Sequence, residues 1–83
     1  MRVEVEQALD AGGRAIVLVR ALEIIAFRPE GLELHGCRVK SFDLPRAMDK
    51  DGNPRMDLLG FVLERPQDLA RFSPGQRVEL KNR

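Results

Sequence analysis

The sequence contains no Tyr, Trp or Thr, and among its 83 residues it has one Cys, one His and two Ser. A single Cys cannot form an internal disulfide, so the fold does not depend on an oxidising compartment. One His and one Cys supply two of the four ligands that a structural zinc ion takes, and no phosphate-binding glycine loop is present. The composition therefore predicts a protein without a metal or other cofactor.

An excess of charge of one sign is also missing. Lys and Arg number 14 against 13 Asp and Glu, which gives a formal net charge of +1. Such a balance provides no general attraction to nucleic acid or to an anionic membrane. Apolar residues make up 43% of the chain and charged residues 33%, which is typical of a globular domain and argues against disorder.

No apolar run is long enough to span a bilayer, because the longest one, Ala15–Phe27, is interrupted by Arg20 and Glu23. The N-terminal residues do not have the pattern of a signal peptide. We therefore expect one cytoplasmic domain, residues 1–83, with no membrane partner. The ratio of eleven Arg to three Lys is typical of a GC-rich, thermophilic bacterial source.

Two short segments alternate strictly between polar and apolar residues. In Arg2–Glu6 and in Arg77–Lys81 every second residue is Val or Leu, which predicts a half-buried strand in each. Leu58–Glu64 is almost continuously apolar and predicts a buried strand. Asp10–Gly13 predicts a hairpin turn, because glycine accepts the positive φ angles that a tight turn needs.

A short helix and a turn are predicted between the last two strands. Pro66–Phe72 begins with a proline, which suits the first turn of a helix, and Asp68 near its start complements the helix dipole. Leu69 and Phe72 are expected to close one end of a barrel. Pro74-Gly75 suits the two central positions of a type II turn.

The segment Arg14–Phe27 is open to two interpretations. Its many β-branched residues favour an extended backbone, whereas its polar residues could also share one stripe of a helix. We predict a long, bent strand that is apolar on both faces, with the helix as the alternative. Because its second face needs cover, Val17, Val19, Leu22 and Ile24 form a candidate self-association face.

The alternating pattern of apolar residues shifts by one position in the middle of the chain. Apolar residues in Gly31–Phe42 change face near Gly36, which predicts a β-bulge or sharp bend there. Asp43–Asp57 is polar and rich in turn formers, which predicts a long exposed connection. All segments together predict a mostly β fold, a small bent antiparallel β-barrel of five or six strands with one short helix. The alternative is an α+β fold in which residues 14–27 are helical.

His35 and Cys37 are the only pair of reactive side chains in the sequence. Residues two apart on a regular strand share a face, so a thiolate–imidazole dyad is one hypothesis. The other is that Gly36 splits their faces and that Cys37 is a small buried hydrophobe. Asp49–Asn53 is similar to the start of a calcium loop, but Pro54 stands where such a loop needs glycine, so we interpret it as a turn. No catalytic or metal-binding residue is assigned.

Basic residues surround the long polar connection. Four of them are the candidate nucleic-acid contacts: Arg38, Lys40, Arg46 and Arg55. Interleaved aspartates cancel most of their charge. The four Phe lie beside apolar neighbours and are interpreted as core residues, which leaves no aromatic side chain to stack on bases.

The order Phe-x-Pro-Gly-Gln-x-Val-x-Leu at Phe72–Leu80 resembles a segment in the small β-barrel of ferredoxin- and flavodoxin-reductase-like flavoproteins. It also resembles, more loosely, the second barrel of translation elongation factors. The resemblance covers about nine residues and implies a six-stranded or similar small barrel. The flavoproteins hold flavin with an Arg-x-Tyr-Ser/Thr motif, which a sequence without Tyr cannot contain, so redox chemistry is not implied. Elongation-factor barrels contact RNA or partner proteins, but no GTPase segment accompanies this one.

These observations favour a small non-enzymatic module that acts through protein–protein contacts, either with another protein or with itself as a homo-oligomer. The excess of apolar surface in Arg14–Phe27 is the basis for the self-association hypothesis. The alternative function is that of a nucleic-acid-binding barrel.

Overall fold

The computed structural model describes residues 1–23, 27–28, 30–43, 50–53 and 57–82. The elements are β1 Arg2–Ala11, β2 Arg14–Ala21, β3 Leu32–Leu34, β4 Cys37–Asp43, β5 Leu58–Leu63, a 3₁₀ helix Pro66–Arg71 and β6 Arg77–Asn82. The strands form a closed barrel in the order β1-β2-β5-β4-β3-β6, and all neighbouring pairs are antiparallel. The predicted small, mostly β barrel with one short helix is confirmed.

The helical alternative for residues 14–27 is wrong over the part that the structure describes. Arg14–Ala21 is a strand, because its β-branched side chains pack on both faces of an extended backbone. The strand is shorter than predicted, since Leu22 and Glu23 form a bend. Residues 24–26 lie outside the described residues.

The β1–β2 hairpin closes with Gly12-Gly13, whose φ angles are +62° and +83°. Positive φ at both central residues defines a type I′ turn, which matches the twist of the two strands. The Gly13 amide donates a hydrogen bond to Asp10 Oδ1 at 3.0 Å. Strand β1 continues past Glu6, although the alternation in the sequence stops there. The pairing register shifts between Val5 and Gln7, and the extra residue at this bulge changes which residues point inward.

The predicted bulge or bend near Gly36 is instead a second two-residue hairpin turn. His35 and Gly36 have φ angles of +53° and +77°, and they join β3 to β4, with Leu34 paired to Cys37. The phase changes because the chain reverses, so the segment is two strands rather than one bulged strand. The bulge in this region lies further on, where the β4–β5 register shifts between Val39 and Ser41.

One apolar interior holds the barrel together. Its most deeply buried large side chains come from every strand except β4: Val3, Val5, Val17, Val19, Leu32, Leu34, Phe61 and Leu80. On β5, Leu59, Phe61 and Leu63 belong to this core. Leu58 and Val62 belong to the outer face of β5, yet they are only 7% and 8% exposed. These two outer-face side chains of β5 are therefore covered within the chain.

The 3₁₀ helix and the following turn close one end of the barrel, as predicted. Phe72 is buried in the core, and Leu69 packs against it partly buried. At the turn, the Gln76 amide donates to the Ser73 carbonyl at 3.1 Å, and Gly75 has a φ of +87°, as a type II turn requires. Gly75 and Gln76 also exchange two backbone hydrogen bonds of 2.7 Å with Val5, which fastens the turn to β1 beside its bulge.

Most of the predicted connection Asp43–Asp57 lies outside the described residues, which include 50–53 and not 44–49 or 54–56. Within it, Lys50 and Asp51 form a turn. In the described part of the chain, no helix has the length and apolar character needed to cross a bilayer.

A pair of matched substitutions tests the placement of the core. Leu34→Ala removes a fully buried side chain and should lower the free energy of unfolding by about 2–5 kcal/mol. Leu22→Ala makes the same chemical change at a side chain that is 38% exposed and should cost about 1 kcal/mol or less. Chemical denaturation measures both values, and equal losses for the two variants would contradict the fold.

Candidate functional site

A polar cavity of about 320 Å³ lies between the start of β4 and the 3₁₀ helix. We call it the arginine cavity, after the three arginines among its lining residues. Its charged lining consists of Arg38, Glu64, Arg65, Asp68 and Arg71. Three cations therefore face two carboxylates in one concave surface.

Strand alternation places the side chains of the arginine cavity. Cys37 points into the barrel and is 2% exposed, whereas Arg38, the next residue, is exposed on the outer face. The Glu64 amide donates a hydrogen bond to the Arg38 carbonyl at 2.9 Å, which continues the β4–β5 pairing by one residue. Arg65 and Arg71 stand at the two ends of the 3₁₀ helix, so the helix carries both toward the start of β4.

Two of the arginines are oriented by local hydrogen bonds. Arg71 Nη1 donates to Cys37 Sγ at 3.5 Å. With the Gln67 amide oriented to accept, its oxygen takes hydrogen bonds from Arg65 Nη2 at 3.0 Å and Arg65 Nε at 3.1 Å. A guanidinium has five N–H donors, so both groups keep donors for a further acceptor.

No carboxylate of the described residues lies within ion-pairing distance of the Arg38, Arg65 or Arg71 side chains. Two other arginines of the barrel surface, Arg20 and Arg77, form ion pairs. Arg20 Nη2 lies 2.8 Å from Glu4 Oε2, and Arg77 Nε lies 3.7 Å from Glu4 Oε1. The unpaired guanidinium forks of the cavity have the geometry that binds carboxylate or phosphate in a bidentate manner.

A second cavity of about 120 Å³ adjoins the first and contains the start of β2 and the bulge of β4. We call it the lysine cavity. Its charged lining residues are Arg14, Lys40 and Glu64. Glu64 thus lines both cavities, and two further cations stand on its other side.

The hypothesis of a thiolate–imidazole dyad is wrong. The Cys37 thiol lies 3.8 Å from the backbone carbonyl oxygen of His35, while the His35 ring packs edge-on against Phe72 with centroids 5.8 Å apart. Burial raises the pKa of the Cys37 thiol, the Asp68 carboxylate raises it further, and the Arg71 guanidinium opposes both. The thiol is therefore protonated at neutral pH and is a poor nucleophile.

The structure brings two of the four candidate nucleic-acid contacts close together. Arg38 lines the arginine cavity and Lys40 the lysine cavity, whereas Arg46 and Arg55 lie outside the described residues. Three cations of these cavities were not predicted from the sequence: Arg14, Arg65 and Arg71. Arg65 and Arg71 lie at the two ends of the predicted helix. Their position there is the one sequence signal that could have predicted them as residues of the same site.

Two of the four residues predicted to form the self-association face are buried, so the prediction is wrong for them. Val17 and Val19 are 0% exposed and point into the barrel, because the partly exposed side chains of β2 are their alternating neighbours, such as Leu18. Ile24 lies outside the described residues. Leu22 remains exposed, and the other exposed large hydrophobic side chain of the described residues is Phe42, at 37%.

Among the residues that the structure describes, no group of three or more His, Cys, Asp and Glu side chains could hold a metal ion. Of the sequence that is similar to a calcium loop, Asp49 lies outside the described residues and Lys50-Asp51 form a turn.

No protein-family model, curated protein or solved structure matches this chain. The resemblance of Phe72–Leu80 to the barrels of reductase-like flavoproteins and elongation factors therefore stays a prediction.

The pKa of Cys37 provides a test of the cavity's electrostatics. In Asp68→Asn a carboxylate that raises this pKa is lost, so the thiol should titrate at lower pH than in the wild type. The measurement is the ultraviolet absorbance of the thiolate as a function of pH. Glu30→Gln, a substitution at an exposed carboxylate outside the cavity lining, should leave the midpoint unchanged. An unchanged midpoint in Asp68→Asn would contradict the described geometry.

Proposed function

We propose that the protein is a non-enzymatic interaction module that binds an acidic segment of a partner protein in the arginine cavity. The observation that carries the proposal is the convergence of Arg38, Arg65 and Arg71 on one concave surface without an ion pair to any described carboxylate. Three cations against two carboxylates leave an excess of positive charge in the cavity, and neighbouring cations repel one another. A bound carboxylate would relieve that repulsion and accept paired hydrogen bonds from the guanidinium groups.

Two features favour a polypeptide over nucleic acid as the ligand. Glu64 and Asp68 stand among the arginines, and a phosphate backbone would meet both of these negative charges. No aromatic side chain is among the lining residues of either cavity, so the described chain offers no base-stacking platform there. A polypeptide can present carboxylates to the arginines and N–H donors to the two acids.

The chemistry of the cavity favours binding over catalysis. Cys37 is its only nucleophilic side chain among the described lining residues, and burial together with Asp68 keeps its pKa raised. The thiol is instead an acceptor for Arg71. It thereby helps to hold a guanidinium in place.

Paired arginine substitutions test the proposal. Arg38→Ala/Arg65→Ala should weaken the binding of a fluorescein-labelled, Glu-rich peptide by about tenfold or more, because each charge-assisted contact is worth roughly 1.5–3 kcal/mol. The matched control is Arg2→Ala/Arg28→Ala, which removes the same charge from exposed positions outside the cavity and should change the affinity little. Fluorescence anisotropy measures the binding, and thermal denaturation checks that each variant is folded.

The same assay with labelled single-stranded and duplex oligonucleotides tests the alternative function. Binding of an oligonucleotide more tightly than the peptide, with an affinity that falls steeply with salt concentration, would establish nucleic acid as the ligand and contradict the proposal. Equal peptide affinities in the cavity variant and its control would contradict it as well.

Self-association is the second form that such a module could take, and the burial of Val17 and Val19 removes its main support. Leu22 and Phe42, the exposed large hydrophobics of the described chain, are two side chains and not an extended patch. We therefore expect sedimentation velocity at tens of micromolar to show a monomer. A dimer that Leu22→Ala or Phe42→Ala dissociates would restore the self-association hypothesis.

A further inference from the structure

The two cavities are neighbours, because Glu64 lines both of them, and we call the two together the groove. The lysine cavity contributes cations on one side of this carboxylate and the arginine cavity contributes them on the other. The lysine cavity has Arg14 and Lys40, the arginine cavity has three arginines and the carboxylate of Asp68, and Glu64 lines both. The groove therefore presents a positive, a negative and again a positive region.

The backbone explains why the charges alternate in this way. Arg38 and Lys40 lie on either side of Val39 in β4, next to the bulge where the β4–β5 register shifts. Val39 pairs with Leu63, and Glu64, the residue after Leu63, is hydrogen-bonded to Arg38. Glu64 thus follows the end of the neighbouring strand β5 and lines one cavity with Arg38 and the other with Lys40.

We propose that Glu64 is a specificity-determining residue, which makes the groove select polypeptides with a basic residue between two acidic clusters. This inference rests on the proposed function and deepens it. A Lys or Arg in the middle of the ligand would meet Glu64 while the flanking carboxylates meet the cations. A uniform polyanion, whether a poly-acidic peptide or a nucleic acid, would place a negative charge against Glu64.

The physical basis is discrimination by repulsion. Like charges held together at an interface cost free energy, and an interface commonly rejects wrong partners in this way. Glu64 is exposed and has no ion pair among the described residues, so its charge is available to a ligand. Asp68, the other acid of the arginine cavity, is less exposed and acts on the Cys37 thiol.

The test uses three labelled ligands and three proteins. The ligands are a peptide with one Lys between two runs of Glu, the same peptide with that Lys replaced by Glu, and a single-stranded oligonucleotide. The proteins are the wild type, Glu64→Gln and the control Glu30→Gln, which removes one exposed carboxylate outside both cavities. Both variants change the net charge by the same amount, so general charge effects cancel in their comparison.

The wild type should bind the Lys-containing peptide about tenfold more tightly than the all-Glu peptide, which corresponds to 1.4 kcal/mol. Glu64→Gln should lose this preference, with weaker binding of the Lys peptide and tighter binding of the all-Glu peptide and the oligonucleotide. Glu30→Gln should behave as the wild type does.

The outcomes separate this inference from the proposed function. If the wild type binds both peptides equally and Glu64→Gln behaves like Glu30→Gln, the role of Glu64 is overturned while peptide binding in the groove stands. If the wild type binds neither peptide, or binds the oligonucleotide most tightly, the proposed function and the inference fail together.

Discussion

The packing of alternate side chains into one closed interior is the constraint on which the rest of the molecule depends. A barrel has no second interior, so each strand must direct every second residue inward and its neighbours outward. The burial of Cys37 and Leu63 therefore determines that Arg38 and Glu64 stand on the outer surface. The buried side chains next to Arg38 and Glu64 in the sequence therefore fix the positions of these charged residues. A large polar network is not needed to hold them in place.

The 3₁₀ helix both closes one end of the barrel and lines the arginine cavity. Phe72 is inserted into the core, and the following turn is hydrogen-bonded to Val5 beside the β1 bulge. The helix that precedes Phe72 is thereby fixed against the barrel, and Arg65 and Arg71 are carried at its two ends. The element that closes the barrel is also the element that brings two arginines to the start of β4.

Sequence patterns were informative where only one face of a strand is apolar. Strict alternation indicated the strands Arg2–Glu6 and Arg77–Lys81, and Pro66 indicated the helix start. When both faces of a strand are apolar, as in β2, the sequence pattern does not show which residues point inward. The prediction of Val17 and Val19 as surface residues was therefore wrong. The β3–β4 hairpin was missed because His35, a residue that is not glycine, takes a positive φ of 53°.

The candidate site was predictable only in part, for a related reason. Arg38 and Lys40 were selected because they are close in sequence to other basic residues. Arg65 and Arg71, which share the arginine cavity with Arg38, lie more than twenty residues further along the chain, and only the fold of the closed barrel brings them near. The interpretation of Cys37 as a small buried hydrophobe agrees with the structure, in which its side chain is buried in the core.

The most direct test of the account is a titration of the isotope-labelled protein with the Lys-containing acidic peptide, followed by nuclear magnetic resonance. If the peptide binds in the groove, chemical-shift changes should concentrate on the backbone amides and arginine Nε–H groups there, centred on Arg38, Glu64 and Arg71. Changes centred instead on Leu22 and Phe42, or spread evenly over the barrel, would contradict it.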